Sequence, residues 1–162
     1  VVLAAHDANI QVRSPNGERT IAMQEFPAFY MTPAIEPNEM VIGINFMAWK
    51  EGHGYAFLEY ARRHGDFAIV AAAVLIELGD NHEVARCSIT LGGVGSGPLR
   101  LLTAESMFCS SDASDTAADD VAQICREIDT IEDVHASTDY RRHVAETLVA
   151  RGLKLAMARA RR

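Results

Sequence analysis

The run "FAIVAAAVLIEL" at 67–78 is the longest apolar stretch of the chain, and it leaves few options for the fold. It falls short of the ~20 apolar residues of a membrane-spanning helix, and the N-terminus carries neither a basic flank nor a small-residue cleavage site. Its alanines would tolerate a helix. Its length, its β-branched residues and the Gly79-Asp80-Asn81 stop favour a central strand covered on both faces.

A central strand needs neighbours. "YAFLEYARR" is divided in propensity, but Gly54 before it and the aromatics Tyr55, Phe57 and Tyr60 favour a strand, with Phe57 and Val70 expected in the core. "RCSITL" alternates, placing Cys87, Ile89 and Leu91 on one face and Ser88 and Thr90 on the other. Three antiparallel strands joined by short turns follow. Beyond them the chain is helical: "LRLLTAESMF" reads as a short helix, and "DTAADDVAQICREI" puts Ala118, Val121, Cys125 and Ile128 on one stripe with acids in its first turn. Ser137 or Thr138 caps a long helix from Tyr140 onward, with Val144, Leu148 and Leu155 on its apolar face.

Upstream, "ANIQVRSPNGERTIAM" is a β-hairpin whose Asn16-Gly17 pair suits a tight turn with positive φ. "FYMTPAIEPNE" reads as an irregular connection, Val41 and Ile42 of "MVIGINF" start a buried strand, and "MAWKEGHG" is a linker. The opening "VVLAAHDA" lacks Met and sits inside a running apolar element, the pattern of a fragment. The fold class is α+β.

Composition narrows the function. A chain of 162 residues buries roughly 70% of its unfolded surface and needs no staples. Apolar residues at 49% and charged ones at 23% suit a soluble domain, and the expected compartment is cytoplasmic. A net charge of −7 opposes nucleic acid as partner, since phosphate-backbone affinity needs clustered Lys and Arg; the terminal "RARR" reads as favoured charges at a helix C-terminus. Cys87, Cys109 and Cys125 form no C-x-x-C and read as small core residues.

"SITLGGVGSGPLR" at 88–100 invites a nucleotide-loop reading and fails it. Counted from Gly93 or Gly95, the sixth position is Pro98 or Arg100, so the dinucleotide spacing is absent, and no Gly-Lys-Ser/Thr occurs. The glycines read as a strand end and turn. The six histidines show no metal-ligand spacing, and Gly95-Ser96-Gly97 is no nucleophile elbow. "ARRHGDFA" is different. Arg62, Arg63, His64 and Asp66 crowd one strand junction; they suit either a solvated turn or a site loop, with Phe67 as a stacking surface and Asp66 as an acceptor for an aromatic, polar ligand.

Three segments in order, "FLEYARRHGDFAIVAAAV", "ARCSITLGGVGSGPLR…AE" and "DVHASTDYRRHVAETLVARGL", resemble the end of the FAD-binding medium subunits of molybdenum hydroxylases, the carbon monoxide dehydrogenase and xanthine dehydrogenase group. The resemblance implies the end of an FAD-binding α+β domain over residues 1–47, then a C-terminal domain over 48–162 with a three-stranded antiparallel sheet packed with three helices. It also implies that both pyrophosphate-holding glycine loops lie upstream of Val1.

By the same resemblance, Val41 matches an apolar position near the adenine end of FAD. Asp66 and Phe67 match the loop beside the isoalloxazine ring, and Arg62 and Arg63 a basic pair in that loop which can equally serve subunit contacts. Glu59 stands where many relatives carry a Lys near the flavin, and a carboxylate cannot do a cation's work. Tyr140 is expected to pack and Arg141 to pair with an acid. The implied activity is electron transfer. Substrate would be hydroxylated at a molybdenum cofactor in a large molybdopterin subunit, electrons would cross [2Fe–2S] clusters in a small iron–sulfur subunit, and FAD would pass them to an acceptor, in a dimer of heterotrimers. This chain would supply no catalytic residue and would be inactive alone. A rival expectation is an assembly module of the same complex without flavin contact; a stand-alone hydrolase is a third.

Overall fold

The computed structural model describes residues 1–162. Strand β7 (Val70–Leu78) is the central strand, flanked antiparallel by β6 (Gly54–Tyr60) and β8 (Val84–Gly92). Val70 to Ile76 are all buried, as a strand covered on both faces requires. On one face Val70, Ala72, Val74 and Ile76, with Ile89 and Leu91 of β8, meet three helices: α2 (Leu102–Cys109), α3 (Asp115–Ala122) and α4 (Thr138–Ala160). The small side chain of Ala72 and the bare Cα of Gly54 let α4 lie close across β6 and β7; a Cβ on Gly54 would overlap the Ala156 carbonyl. Phe108 of α2 is fully buried in this layer.

The opposite face is covered only in part. Helix α1 (Val2–Ala5) and Trp49 pack on Ala73 and Leu75, and Ser88 Oγ donates to the Ala5 carbonyl at 2.8 Å. This explains a departure from the sequence reading: Phe57 pairs with Ala73 on this face, beside a hollow that α1 borders but does not fill, and is half exposed, whereas Val70 is fully buried. Trp49, inside the expected linker, belongs to the core.

Other departures are local. Leu99–Arg100 form a fourth, two-residue strand (β9) on β8, so α2 begins only at Leu102. Helix α3 gives way at Gln123 to a 3₁₀ turn over Gln123–Arg126, while Ala118, Val121, Cys125 and Ile128 all stay buried. Ser137 caps α4 by accepting from the Tyr140 amide at 3.3 Å, so the helix starts at Thr138. Leu155 sits at the helix border and is exposed; Leu153, Ala156 and Met157 continue the stripe of Val144 and Leu148.

The N-terminal part holds a second sheet, β2-β1-β5, with β1 (Asn9–Ser14), β2 (Gly17–Ala22) and β5 (Met40–Asn45). Its hairpin turns on Pro15-Asn16, with Gly17 alone at positive φ, rather than on Asn16-Gly17. Strand β5 is an edge strand and is not buried; Val41 is exposed. The irregular connection contains a small hairpin, β3 (Pro27–Phe29) and β4 (Thr32–Pro33).

Two ion-pair groups tie these parts together. Arg19 of β2 forms a two-pronged pair with Glu39, both contacts at 2.7 Å, and Glu39 also accepts from the Glu36 amide. Arg100, its side chain 10% exposed, holds Glu105 through Nε and Nη2 at 2.7 and 2.8 Å and reaches Asp7 and the Ala4 carbonyl through Nη1. Glu105 in turn accepts from the Ile89 amide.

Gly93, directly after β8, has φ +78°, and a Cβ there would overlap the Ile69 carbonyl and crowd that of Ala68. Both facts require glycine. Gly93→Ala is therefore expected to cost at least about 2 kcal/mol in urea unfolding, by backbone strain plus overlap; an unchanged midpoint would contradict the packing. The Arg19 hydrogen bond first, and then the Glu36 amide, hold the Glu39 carboxyl down from 4.5 to about 2. Its contribution to stability is complete above its unfolded value and lost as pH falls through about 2. NMR titration of the Glu39 carboxyl is expected to show that low midpoint, and Arg19→Ala to move it back up.

Candidate functional site

The junction between β6 and β7 is loop 61–69, and its geometry follows from two backbone hydrogen bonds. The Ile69 amide donates to the Tyr60 carbonyl at 2.8 Å and closes the loop at its base. The Asp66 amide donates to the Arg63 carbonyl, with Gly65 at φ +88° making the tip turn. The Phe67 ring is fully exposed, whereas Ile69, two residues on, is buried.

A cleft of about 430 Å³ opens beside this loop. Arg62, Asp66 and Phe67 line one side, Ile131, Asp133 and His135 the other, and Tyr30 of the small hairpin reaches its edge. Of the residues singled out from sequence, Arg62, Asp66 and Phe67 are brought together here. Arg63 lies in the same loop but outside the cleft lining, and Val41 lies on β5 in the other sheet.

The far wall is built by Asp133. Its Oδ1 accepts from the His135 and Ala136 amides at 2.9 and 3.0 Å, and its Oδ2 meets Arg141 Nη2 at 2.7 Å. The His135 amide first, then the Ala136 amide and the Arg141 guanidinium, hold its carboxyl below the usual range. Arg62 Nη1 donates to His135 Nδ1 at 3.2 Å across the cleft, which needs the tautomer with that nitrogen unprotonated. At the loop base the Tyr140 hydroxyl donates to that of Tyr60 at 2.9 Å; this bond pushes the Tyr140 phenol up. Tyr140 thus lies half exposed over the loop base rather than in the core.

Arg141 pairs with an acid, as the sequence reading expects, and does more. Its Nη1 donates to the carbonyls of Ile69 and Gly93 at 2.6 and 2.8 Å, and the residue is 3% exposed. Nothing in "DYRR" announces this. A signal does exist: Arg141 stands three, four and seven residues before Val144, Ala145 and Leu148, on the buried stripe of α4, where a charge needs a reason.

The cleft suits an aromatic ligand in part. Phe67 and Tyr30 give ring surfaces, Arg62 a cation and Asp66 an acceptor, which fits the edge of a large polar ring. It has no phosphate cradle: Gly93 is turned against Ile69 and Arg141, toward protein. No cluster of three or more His, Cys, Asp or Glu has metal-holding geometry, and no helix is long and apolar enough to cross a membrane.

Comparison with known proteins agrees with this architecture. The chain is 37% identical to the 6-hydroxypseudooxynicotine dehydrogenase complex subunit alpha of Paenarthrobacter nicotinovorans, over 99% of its own length and 55% of that protein. It is 31% identical to the carbon monoxide dehydrogenase medium chain of Hydrogenophaga pseudoflava, covering 96% of this chain and 54% of the relative. The crystal structure of carbon monoxide dehydrogenase from Hydrogenophaga pseudoflava superposes with a TM-score of 0.89 at 27% identity, over 98% of this chain and 55% of the solved one. The chain thus spans about half the length of these relatives. Residues 55–156, which carry the sheet, the cleft loop and all three packed helices, match the CO dehydrogenase flavoprotein C-terminal domain, and the chain belongs to that family.

Proposed function

We propose that this chain is the C-terminal part of the FAD-carrying medium subunit of a molybdenum hydroxylase, residues 1–47 ending the FAD-binding domain and 48–162 forming the C-terminal one. The observation that carries the reading is the fully exposed Phe67 ring on a short loop closed at its base, in a domain of the flavoprotein family. An aromatic side chain of that size, left in water by a loop held in place, is expected to meet a partner surface.

When bound, FAD supplies the chemistry of accepting electrons and handing them on. This chain's residues cover and tune it. Phe67 offers an apolar surface that excludes water, Asp66 a hydrogen-bond acceptor, and Arg62 and Arg63 positive charge that favours added electrons on a neighbouring ring. Val41, exposed on β5, offers a small apolar contact for the adenine end. The complex would combine a large molybdopterin subunit, a small iron–sulfur subunit and this medium subunit as a dimer of heterotrimers in the cytoplasm. Electrons would pass from the iron–sulfur clusters through FAD to an acceptor.

A second reading has its own observation. Phe29, Met31, Phe46 and Met47 of the N-terminal part are exposed, as on an assembly surface, and the domain could serve the complex without touching flavin.

Phe67→Ala in the full-length subunit separates the two. The flavin reading expects a shifted flavin spectrum and midpoint potential and a turnover lowered about tenfold; no change in all three favours the assembly reading. The chain of 162 residues, purified by itself, is expected to be colourless and without redox activity, because it has no pyrophosphate cradle. A yellow preparation with stoichiometric flavin would overturn that.

A further inference from the structure

Loop 61–68 has little of its own to fix where its tip points. Beyond the bonds at its base and tip turn, its one side-chain tie is the Arg62–His135 contact, and Phe67 touches solvent all round. The placement of Asp66 and Phe67 therefore depends on where the chain leaves the loop, at Ile69.

That exit is gripped by one side chain. Arg141 reaches from the first turn of α4 and bonds three other segments at once: the Ile69 carbonyl at the loop exit, the Gly93 carbonyl at the glycine corner, and Asp133 in the far wall of the cleft. Gly93 lies so close to Ala68 and Ile69 that no side chain fits between, so the loop exit rests against Gly93 and is held there by Arg141. Stability alone is a weak reason for this arrangement. A guanidinium only 3% exposed carries a large desolvation cost, and its Nε finds no partner, whereas an apolar residue on the same stripe would carry neither penalty. What an apolar residue cannot supply is a planar fork joining two carbonyls and a carboxylate in fixed directions.

We infer that Arg141 is the positioning residue of the flavin-side loop, setting where Asp66 and Phe67 stand from a sequence position some seventy residues away. This rests on the reading of loop 61–68 as the flavin-facing one. Lysine keeps the charge but has a single nitrogen, which cannot hold both carbonyls and Asp133 in the same geometry.

The test uses the full-length subunit in its complex, as wild type, Arg141→Lys and Phe67→Ala. Backbone hydrogen exchange is followed by mass spectrometry alongside the flavin midpoint potential and the KM and kcat for the acceptor. Arg141→Lys is expected to speed exchange across 61–69 about tenfold while β7 and β8 keep their protection. It is also expected to move the potential and the acceptor KM in the direction that Phe67→Ala moves them. Unchanged exchange in the loop, or a uniform rise across the sheet, overturns the inference. A loosened loop with potential and KM unmoved also overturns it, if Phe67→Ala does move them, and leaves the flavin reading standing. If Phe67→Ala moves neither, the flavin reading fails and the positioning role falls with it, whatever the exchange shows.

Discussion

Burial of β7 on both faces is the constraint from which the rest of the domain follows. A strand with no exposed side must find cover on each, and the two covers here are unlike. On one side Val70, Val74 and Ile76 alternate with Ala72, whose small side chain leaves room for α4 to settle against the sheet. On the other, Ala73 and Leu75 present a surface that the short α1 and Trp49 cover. The sheet is thus thick with helices on one face and thinly roofed on the other, and its half-exposed aromatics, Tyr55 and Phe57, lie where the roof ends.

The same strand places the cleft. Because β7 begins in the core, the loop before it must rise from buried Ile69 to solvent within a few residues, and the polar run from Arg62 to Asp66 is what can occupy that step. Glycine-rich corner and cleft loop are then one construction. Of the glycines after β8, Gly93 lets the Ala68 and Ile69 carbonyls approach a strand end that any side chain would keep away.

Much of this was legible in the sequence. A long apolar run, an alternating run and a helical stripe are signals spread over many residues, so β7, β8, α3 and α4 could be read from pattern alone. The failures are of two physical kinds. Strands of two or three residues, such as β3, β4 and β9, carry no period to detect and exist only because a neighbour offers hydrogen bonds. Phe57, Leu155 and the strand at Val41 read as core because each is apolar, yet burial depends on what lies opposite, which no local pattern records. For the cleft, "ARRHGDFA" pointed to the loop, while Asp133, His135 and the grip of Arg141 come from sequence positions some seventy residues away and met it only through the fold.

The Arg100 group bears on how the two sheets are joined. Asp7 and the Ala4 carbonyl belong to the segment leading into β1, and the guanidinium that holds them is anchored by Glu105 on the helical side and through it by the Ile89 amide of β8. The Arg100–Glu105 pair is nearly dry and dissolved salt screens it poorly, whereas the Arg100–Asp7 contact that reaches the N-terminal segment is half exposed on its Asp7 side. The exposed Arg86–Asp7 pair beside it is open to such screening. The Asp7 carboxylate thus joins the N-terminal segment to two guanidiniums at once, Arg86 of β8 and Arg100 of β9, and its half-exposed side is the part of the seam that dissolved salt reaches first.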